Sequence, residues 1–219
     1  DIAILSLNNS LKKGDSIVIT TPFRVKIPSG RFSRLGHIGQ SYQITQWFPK
    51  PAVYDVDGWH PLPYLNQGEF YSEFGKYDVS ITLPDNYVIM ATGDLQNPEE
   101  VEFLNEKATL TEKLIAENSL PIKDTSNKKD MSFPKSSNQY KTVRFVQNNV
   151  HDFAWFADKR YHVLKGEVKL PKSERTVETW ALFTNNEAKL WSNAIEYLND
   201  ATYYFSKWVG EYPYNHVTA

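Results

Sequence analysis

Five histidines, His37, His60, His151, His162 and His216, are the side chains in this 219-residue chain best able to hold a metal or move a proton near neutral pH. Zinc peptidase chemistry needs two of them at i and i+4 on one helix, with a Glu after the first as base. No histidine here is followed by Glu, and none lies four residues from another. There is no cysteine either, so thiolate metal sites and disulfides are excluded. The chain by itself therefore offers no metal set and no catalytic set. His151-Asp152 reads as two neighbours in a strand, which point to opposite faces and do not meet. Glu69 and Glu73 on one extended face would stand about 13 Å apart, too far for a hydrolytic carboxylate pair. Gly36-His37-Ile38-Gly39 lacks the third glycine and the helix of a nucleotide loop, so it reads as a turn. Asn8-Asn9-Ser10 has the form of a glycosylation acceptor, and no serine or threonine sits in a nucleophile elbow.

One cluster stays open. Trp47, Phe48, Tyr54, Trp59, Tyr64, Phe70 and Tyr71 either line a groove for sugar or peptide or form a small core under a long loop. Four prolines and two glycines between Pro49 and Gly68 argue against regular structure there and for an ordered aromatic loop.

The elements that would position these residues are mostly strands. From Ile17 to Ile27, Ile17, Ile19, Phe23, Val25 and Ile27 share one face, which predicts a half-buried strand after the Gly14-Asp15 turn. Lys76 to Leu83 alternates the same way, with Tyr77, Val79, Ile81 and Leu83 inward. Tyr87 to Ala91 predicts a short buried strand, and further strands are expected over 141–147, 151–157, 161–170 and 175–183. A surface helix is expected over 100–118 and a mobile polar loop over 119–139. Thr184-Asn185-Asn186-Glu187 has capping-box form. Ala188, Trp191, Ile195, Leu198, Thr202, Phe205 and Trp208 then recur at helical spacing to a stop at Gly210, predicting one long helix with a core-facing aromatic stripe.

Composition narrows the class. Aromatic residues make up 14% of the chain, which suits a β-rich core. Residues 1–110 carry 9 basic and 13 acidic side chains and residues 111–219 carry 15 and 13, so neither half has the excess expected of a nucleic-acid surface. Apolar runs reach only five residues, too short to span a bilayer, and residues 1–15 show no signal-peptide pattern. The first residue is Asp, so the sequence reads as a processed chain or an excised fragment.

Several stretches, in order, carry a family resemblance. Gln46-Trp47-Phe48-Pro49 through Ala91-Thr92-Gly93, then Val150-His151-Asp152-Phe153-Ala154-Trp155, then Trp208-Val209-Gly210-Glu211-Tyr212-Pro213-Tyr214, resemble the N-terminal domain and first catalytic-domain helix of the zinc aminopeptidases that include aminopeptidase N and leukotriene hydrolase. The bacterial branch is the most similar. The resemblance covers roughly residues 16–219, with residues 97–140 weak. It implies a mainly β chain: a saddle-like β-sandwich over residues 1–157, incomplete at its start, and the opening of a thermolysin-like α/β domain over residues 158–219. It also implies a parent enzyme that removes N-terminal residues from peptides. Its zinc is held by H-E-x-x-H and a further Glu, segments absent from this sequence, so the fragment is expected to be inert and to pack on a catalytic domain. In the family a Gln or Glu near a Thr-Gln-x-Gln/Glu motif grips the substrate amine. Thr45-Gln46 matches its start, Phe48 departs from its end, and Gln46 is the one residue carried over. The alternative for Gln46 is an amide that satisfies strand ends. The alternatives for the chain are a non-catalytic interaction module that keeps the β domain, or a sugar-binding domain using the aromatic loop. Compartment stays open, an exported or periplasmic parent being consistent with the branch.

Overall fold

A computed structural model describes residues 2–31, 34–63, 71–120 and 130–219. Tyr64, Glu69, Phe70 and residues 121–129 of the loop expected over 119–139 lie outside the described residues. Strand accounts for 32% and helix for 19%, which makes the chain mainly β, with several antiparallel sheets.

The first sheet has the order β1 (Gly36–Ile38), β2 (Ser41–Ile44), β9 (Trp155–Asp158), β6 (Val88–Ala91), all antiparallel. The second is β5 (Gly75–Pro84), β8 (Tyr140–Val150), β7 (Asp94–Leu95), also antiparallel. These two sheets share one core: Ile81, Leu83, Val143 and Phe145 from the second meet Ile89, Ala91 and Ala157 from the first, with Tyr87 and Phe153 between. In β5 the burial alternates as the sequence alternates. Ile81 and Leu83 are buried, Tyr77 and Val79 half-buried, and Lys76, Asp78, Ser80 and Thr82 exposed. All four residues of β6 are buried because both its faces are covered. Ile89 and Ala91 face the shared core, while Val88 and Met90 face a second one.

That second core joins β6 to helix α1 (Pro98–Ala116) and to a third sheet of β10 (His162–Lys169), β11 (Thr176–Phe183) and β12 (His216–Thr218). In the third sheet β10 and β11 are antiparallel and β11 and β12 parallel. Helix α1 begins with Pro98 in its first turn, with Glu99 and Glu100 at the positive end of the helix dipole. Its buried stripe is Glu100, Leu104, Ala108 and Thr111. Glu100 is 4% exposed and accepts a 2.7 Å hydrogen bond from Lys141 on β8, whose ammonium also stands 4.2 Å over the Phe103 ring. Helices α2 (Ala188–Trp191) and α3 (Ala194–Trp208) cover the other face of the third sheet, against Leu164, Ala181 and Phe183. Contact is close at Gly166, where any Cβ would fall 2.5 Å from Ile195.

Between the first and third sheets the chain turns at Asp158-Lys159-Arg160. Asp158 is fully buried and receives Arg160 in a two-pronged contact, Nε to Oδ1 at 2.9 Å and Nη2 to Oδ2 at 2.6 Å. Arg160 also donates to the Met131 carbonyl and stacks 3.7 Å over the Phe133 ring. Lys159, 6% exposed, donates to Gln40, to the Pro134 carbonyl and to Ser136. Burial pulls the Lys159 ammonium below its ordinary pKa, against the pull of Asp158. The three residues clamp segment 130–137 onto the first sheet.

Four expectations are corrected. Residues 17–27 form no strand: they have no ladder partner, and Ile17, Val18, Ile19, Phe23 and Val25 are exposed. Their alternation shows which face prefers apolar contact, but a strand also needs a neighbour to bond. The stretch expected to be irregular holds a hairpin, β3 (Val53–Asp55) with β4 (Gly58–His60), where Gly58 at φ 102° closes the turn and the Asp55 carboxylate accepts from the Asp57 amide. The strand expected from residue 151 starts at Trp155. The single long helix is two, divided at Ser192-Asn193, and its stripe leaves the core near the end: Phe205 and Trp208 are exposed while Thr202 and Ser206 are buried.

Candidate functional site

Gln46 stands at the corner where the chain leaves β2. Its backbone is left-handed, φ 52°, a conformation that costs a residue with a Cβ about 1–2 kcal/mol. Neighbouring contacts hold it there. The Trp47 indole donates to the Phe153 carbonyl at 3.1 Å. Trp47, Phe48 and Tyr77 then form a run of edge-on rings, 5.4 Å and 5.6 Å apart, with Tyr77 stacked 6.2 Å from Phe153. Phe23 adds its ring to Trp47 from outside at 5.9 Å. Behind the rings Lys50 faces Asp152 at 2.9 Å, an ion pair off the line of a hydrogen bond. Within this corner the Gln46 side-chain oxygen and the Thr45 hydroxyl are buried and meet no hydrogen-bond partner among the described residues. A buried acceptor without a donor is uncommon and calls for a physical account.

The aromatic cluster divides. Trp47 and Phe48 pack on the shared core of the first and second sheets. Tyr54 and Trp59 lie together on the hairpin, 5.0 Å apart and about two-thirds exposed (66% and 68%). The hairpin also holds a group the sequence reading missed. Asp55 Oδ1 lies 2.8 Å from His60 Nε2, and Tyr71 donates to Asp55 Oδ2 at 3.3 Å. The His60 hydrogen bond, with the Asp57 amide, holds the Asp55 carboxyl below its ordinary pKa. The sequence signal was the Asp-x-Asp-Gly turn, which brings Asp55 and His60 onto one face of a two-stranded ribbon. Asp55 and His60 are half-buried and Tyr71 is exposed, and both Asp55 oxygens are already taken, one by His60 and the Asp57 amide and the other by Tyr71, so the group reads as a clasp on the turn.

Three of the remaining histidines are held by hydrogen bonds within the fold. His37 Nδ1 lies 3.0 Å from the Gly39 carbonyl, His162 Nε2 lies 2.8 Å from Asn185, and His216 Nε2 donates to the Gly93 carbonyl at 2.7 Å. His151 and Asp152 do not act together: they lie in the bend after β8, with Asp152 turned to Lys50 and the His151 ring beside Phe74. Among the described residues no three His, Asp or Glu side chains stand close enough to hold a metal ion. The zinc implied by resemblance therefore has no ligand set among these residues, and no chemical step can be assigned through it here.

A cavity of about 530 Å³ opens between the first and third sheets and the C-terminal strand, lined by Ala91, Phe156, Tyr161, Trp191, Tyr214 and His216 among others. Burial pushes the Tyr161 hydroxyl up to about 12. Tyr214 donates to the Asn149 carbonyl and Tyr212 to the His216 carbonyl, so the polar tips of this wall are tied to backbone. Gln46 does not line the cavity. No helix among the described residues is long and apolar enough to cross a membrane. No protein-family model matches the chain, and no curated protein matches it.

Proposed function

We propose that the chain is the N-terminal part of a bacterial zinc aminopeptidase and that Gln46 receives the free α-amino group of a peptide substrate. The ordered sequence matches point to that family. The observation that carries the site is the Gln46 amide oxygen, a buried acceptor lacking a donor on a left-handed backbone. A peptide α-ammonium is a strong donor of the kind this acceptor lacks, and a hydrogen bond to a charged group contributes about 1.5–3 kcal/mol. The role assigned to this chain is binding and orientation only. Bond cleavage by zinc-activated water belongs to H-E-x-x-H and Glu segments that the sequence does not contain, so the isolated chain is inert in this reading.

The test uses the full-length gene product. Its zinc content and its hydrolysis of aminoacyl amides are measured for the native protein and for Gln46→Leu. The expected result is bound zinc, no turnover of N-acetylated substrate, and a kcat/KM for free-amine substrate lowered about ten- to a hundredfold by the substitution. A Gln46→Leu enzyme with unchanged kcat/KM removes Gln46 from the site. A gene product without zinc or peptidase activity favours the second reading, a non-catalytic interaction module, which the exposed Tyr54–Trp59 pair supports.

A further inference from the structure

The second sheet ends at β5, and no strand among the described residues bonds its far side. Which backbone groups face that open side follows from β8. Arg144 turns its carbonyl to the Gln96 amide at 2.9 Å and its amide to the Asn97 side chain at 2.8 Å, and the Thr142 carbonyl also meets Asn97. These even-numbered residues of β8 point away from β5. The odd ones, Val143, Phe145 and Gln147, therefore bond their β5 partners Ile81, Val79 and Tyr77. The amides and carbonyls of Asp78, Ser80 and Thr82 are left pointing outward along the open edge, while the apolar side chains of β5 face the core.

Residues 17–27 match this edge in three respects. The segment has 11 residues against the 10 of β5. Five of its six odd positions, Ile17, Ile19, Phe23, Val25 and Ile27, are apolar, the sixth being Thr21, and no backbone–backbone hydrogen bond involves the segment among the described residues. Its one interior proline, Pro22, is even-numbered, so the missing N–H lies on the side away from whatever the odd positions bond. In an antiparallel addition, directly opposed residues bond each other and share a face. Apolar faces on the same side would then turn Pro22 toward β5. In a parallel addition the odd residues of the segment bond the even residues of β5, the apolar faces coincide, and Pro22 faces solvent. Alternation, proline and edge agree only for parallel pairing.

Within one copy the segment already has a position. Ser29 bridges to His37, the Gly30 amide donates to the His37 carbonyl, and Phe23 rests on Trp47, yet the β5 edge stays open. We infer that this edge is a docking site for residues 17–27 of a second copy, joining two chains by reciprocal parallel strand addition. Two such segments and two edges bury on the order of 1,200–2,000 Å², the size class of a specific interface. Two-fold symmetry closes the assembly at a dimer, since each copy's segment and each β5 edge are then taken.

The test measures the mass of the full 219-residue chain by sedimentation equilibrium at rising concentration, with amide exchange recorded in parallel. Expected are reversible dimerisation and protection of residues 17–27 and of Asp78, Ser80 and Thr82 that grows with concentration. Thr21→Pro removes a bonding amide from a segment that makes no backbone bond in the monomer, so it leaves the fold intact. Ser80→Pro removes one from the open side of β5. Each change occurs twice in the dimer and should weaken association on the order of a hundredfold. A monomer at all concentrations overturns the inference. So does a dimer indifferent to Thr21→Pro, and so does protection that does not vary with concentration, which would mean the chain's own segment takes the edge.

Discussion

Asp158→Asn is the substitution whose cost the structure defines most fully. Asp158 is fully buried and Arg160 only 14% exposed, and the aspartate accepts both prongs of the guanidinium and the Arg160 amide at 2.8 Å. Asparagine keeps the shape but loses the charge and one acceptor. The guanidinium then stays largely out of water with one neutral amide oxygen, the Met131 carbonyl and the Phe133 ring as partners. Breaking a buried pair by removing one member costs about 3–5 kcal/mol. The residual exposure of Arg160 and the oxygen that Asn retains place this case near the lower bound, about 3 kcal/mol. For a chain of this length that corresponds to a fall in Tm of roughly 10 °C. Urea unfolding followed by circular dichroism gives the free energy, and an unchanged m value shows that the native fold persists. Amide exchange should rise selectively over residues 131–136, the segment the clamp retains. Replacing both partners by apolar residues, Asp158→Leu with Arg160→Met, should recover most of the loss, because the cost lies in an uncompensated charge. A loss below about 1 kcal/mol for Asp158→Asn would refute the reasoning, since it would mean that water reaches the pair and that the clamp holds nothing.

Three further outcomes are expected. Gly93→Ala should destabilise by about 2–4 kcal/mol in the same assay, because at φ 98° its Cβ would lie 2.8 Å from the Val146 backbone, whereas Gly58→Ala, at φ 102° in open space, should cost only about 1 kcal/mol. Gln46→Gly should stabilise the chain by about 1 kcal/mol by relieving the left-handed backbone, which separates the residue's strain from its binding role. Thr184→Ala should cost about 1 kcal/mol at neutral pH by removing the hydroxyl that donates to Glu187 at 2.5 Å and accepts from the Asn186 amide at 3.3 Å in the turn before α2. Burial raises the Glu187 pKa, but the bonds from Thr184 and Asn186 outweigh it and leave the pKa below its ordinary value of 4.5. A depressed carboxyl contributes stability above its unfolded pKa and loses it as pH falls through the folded one. The gap between native and Thr184→Ala should therefore narrow below pH 4.5 in urea titrations.

The strands were legible wherever both the pattern and the neighbour lie in this chain. β5 alternates and pairs with β8 from Tyr77 to Pro84, so its periodicity gave its faces correctly. Residues 17–27 alternate as cleanly and remain unpaired, because periodicity records a preference for a half-buried surface and is silent about hydrogen-bond partners. The hairpin at Val53–His60 was hidden by flanking prolines, although Asp57-Gly58 marked its turn. Helical spacing extended the core stripe to Phe205 and Trp208. The third sheet ends before them, however, and Ser206 is buried in their place because its hydroxyl accepts from the Tyr212 amide at 3.1 Å. Of the candidate site, the identity of Gln46 came from family likeness alone. Its left-handed backbone and unpartnered oxygen depend on Phe153 and Tyr77, too far along the chain for any local pattern to report. The Asp158–Arg160 clamp was invisible for the same reason, since its burial depends on Met131 and Phe133 folding over it.

The parallel pairing of β12 with β11 has a mechanical consequence. His216 to Thr218 run alongside Glu178 to Trp180, and two bonds at Ala219 continue the ladder, its amide to the Trp180 carbonyl and its carbonyl from the Leu182 amide. Force drawing residue 219 forward along the strand loads these bonds side by side, so they must fail together in shear. Force applied across the sheet would peel them one at a time. The His216 ring bonded to Gly93 and Asn215 bonded to Asp94 carry the same tension into the second sheet. A pull on the last residue is thus borne by two sheets at once, and rupture there should take more force than the short length of β12 would suggest.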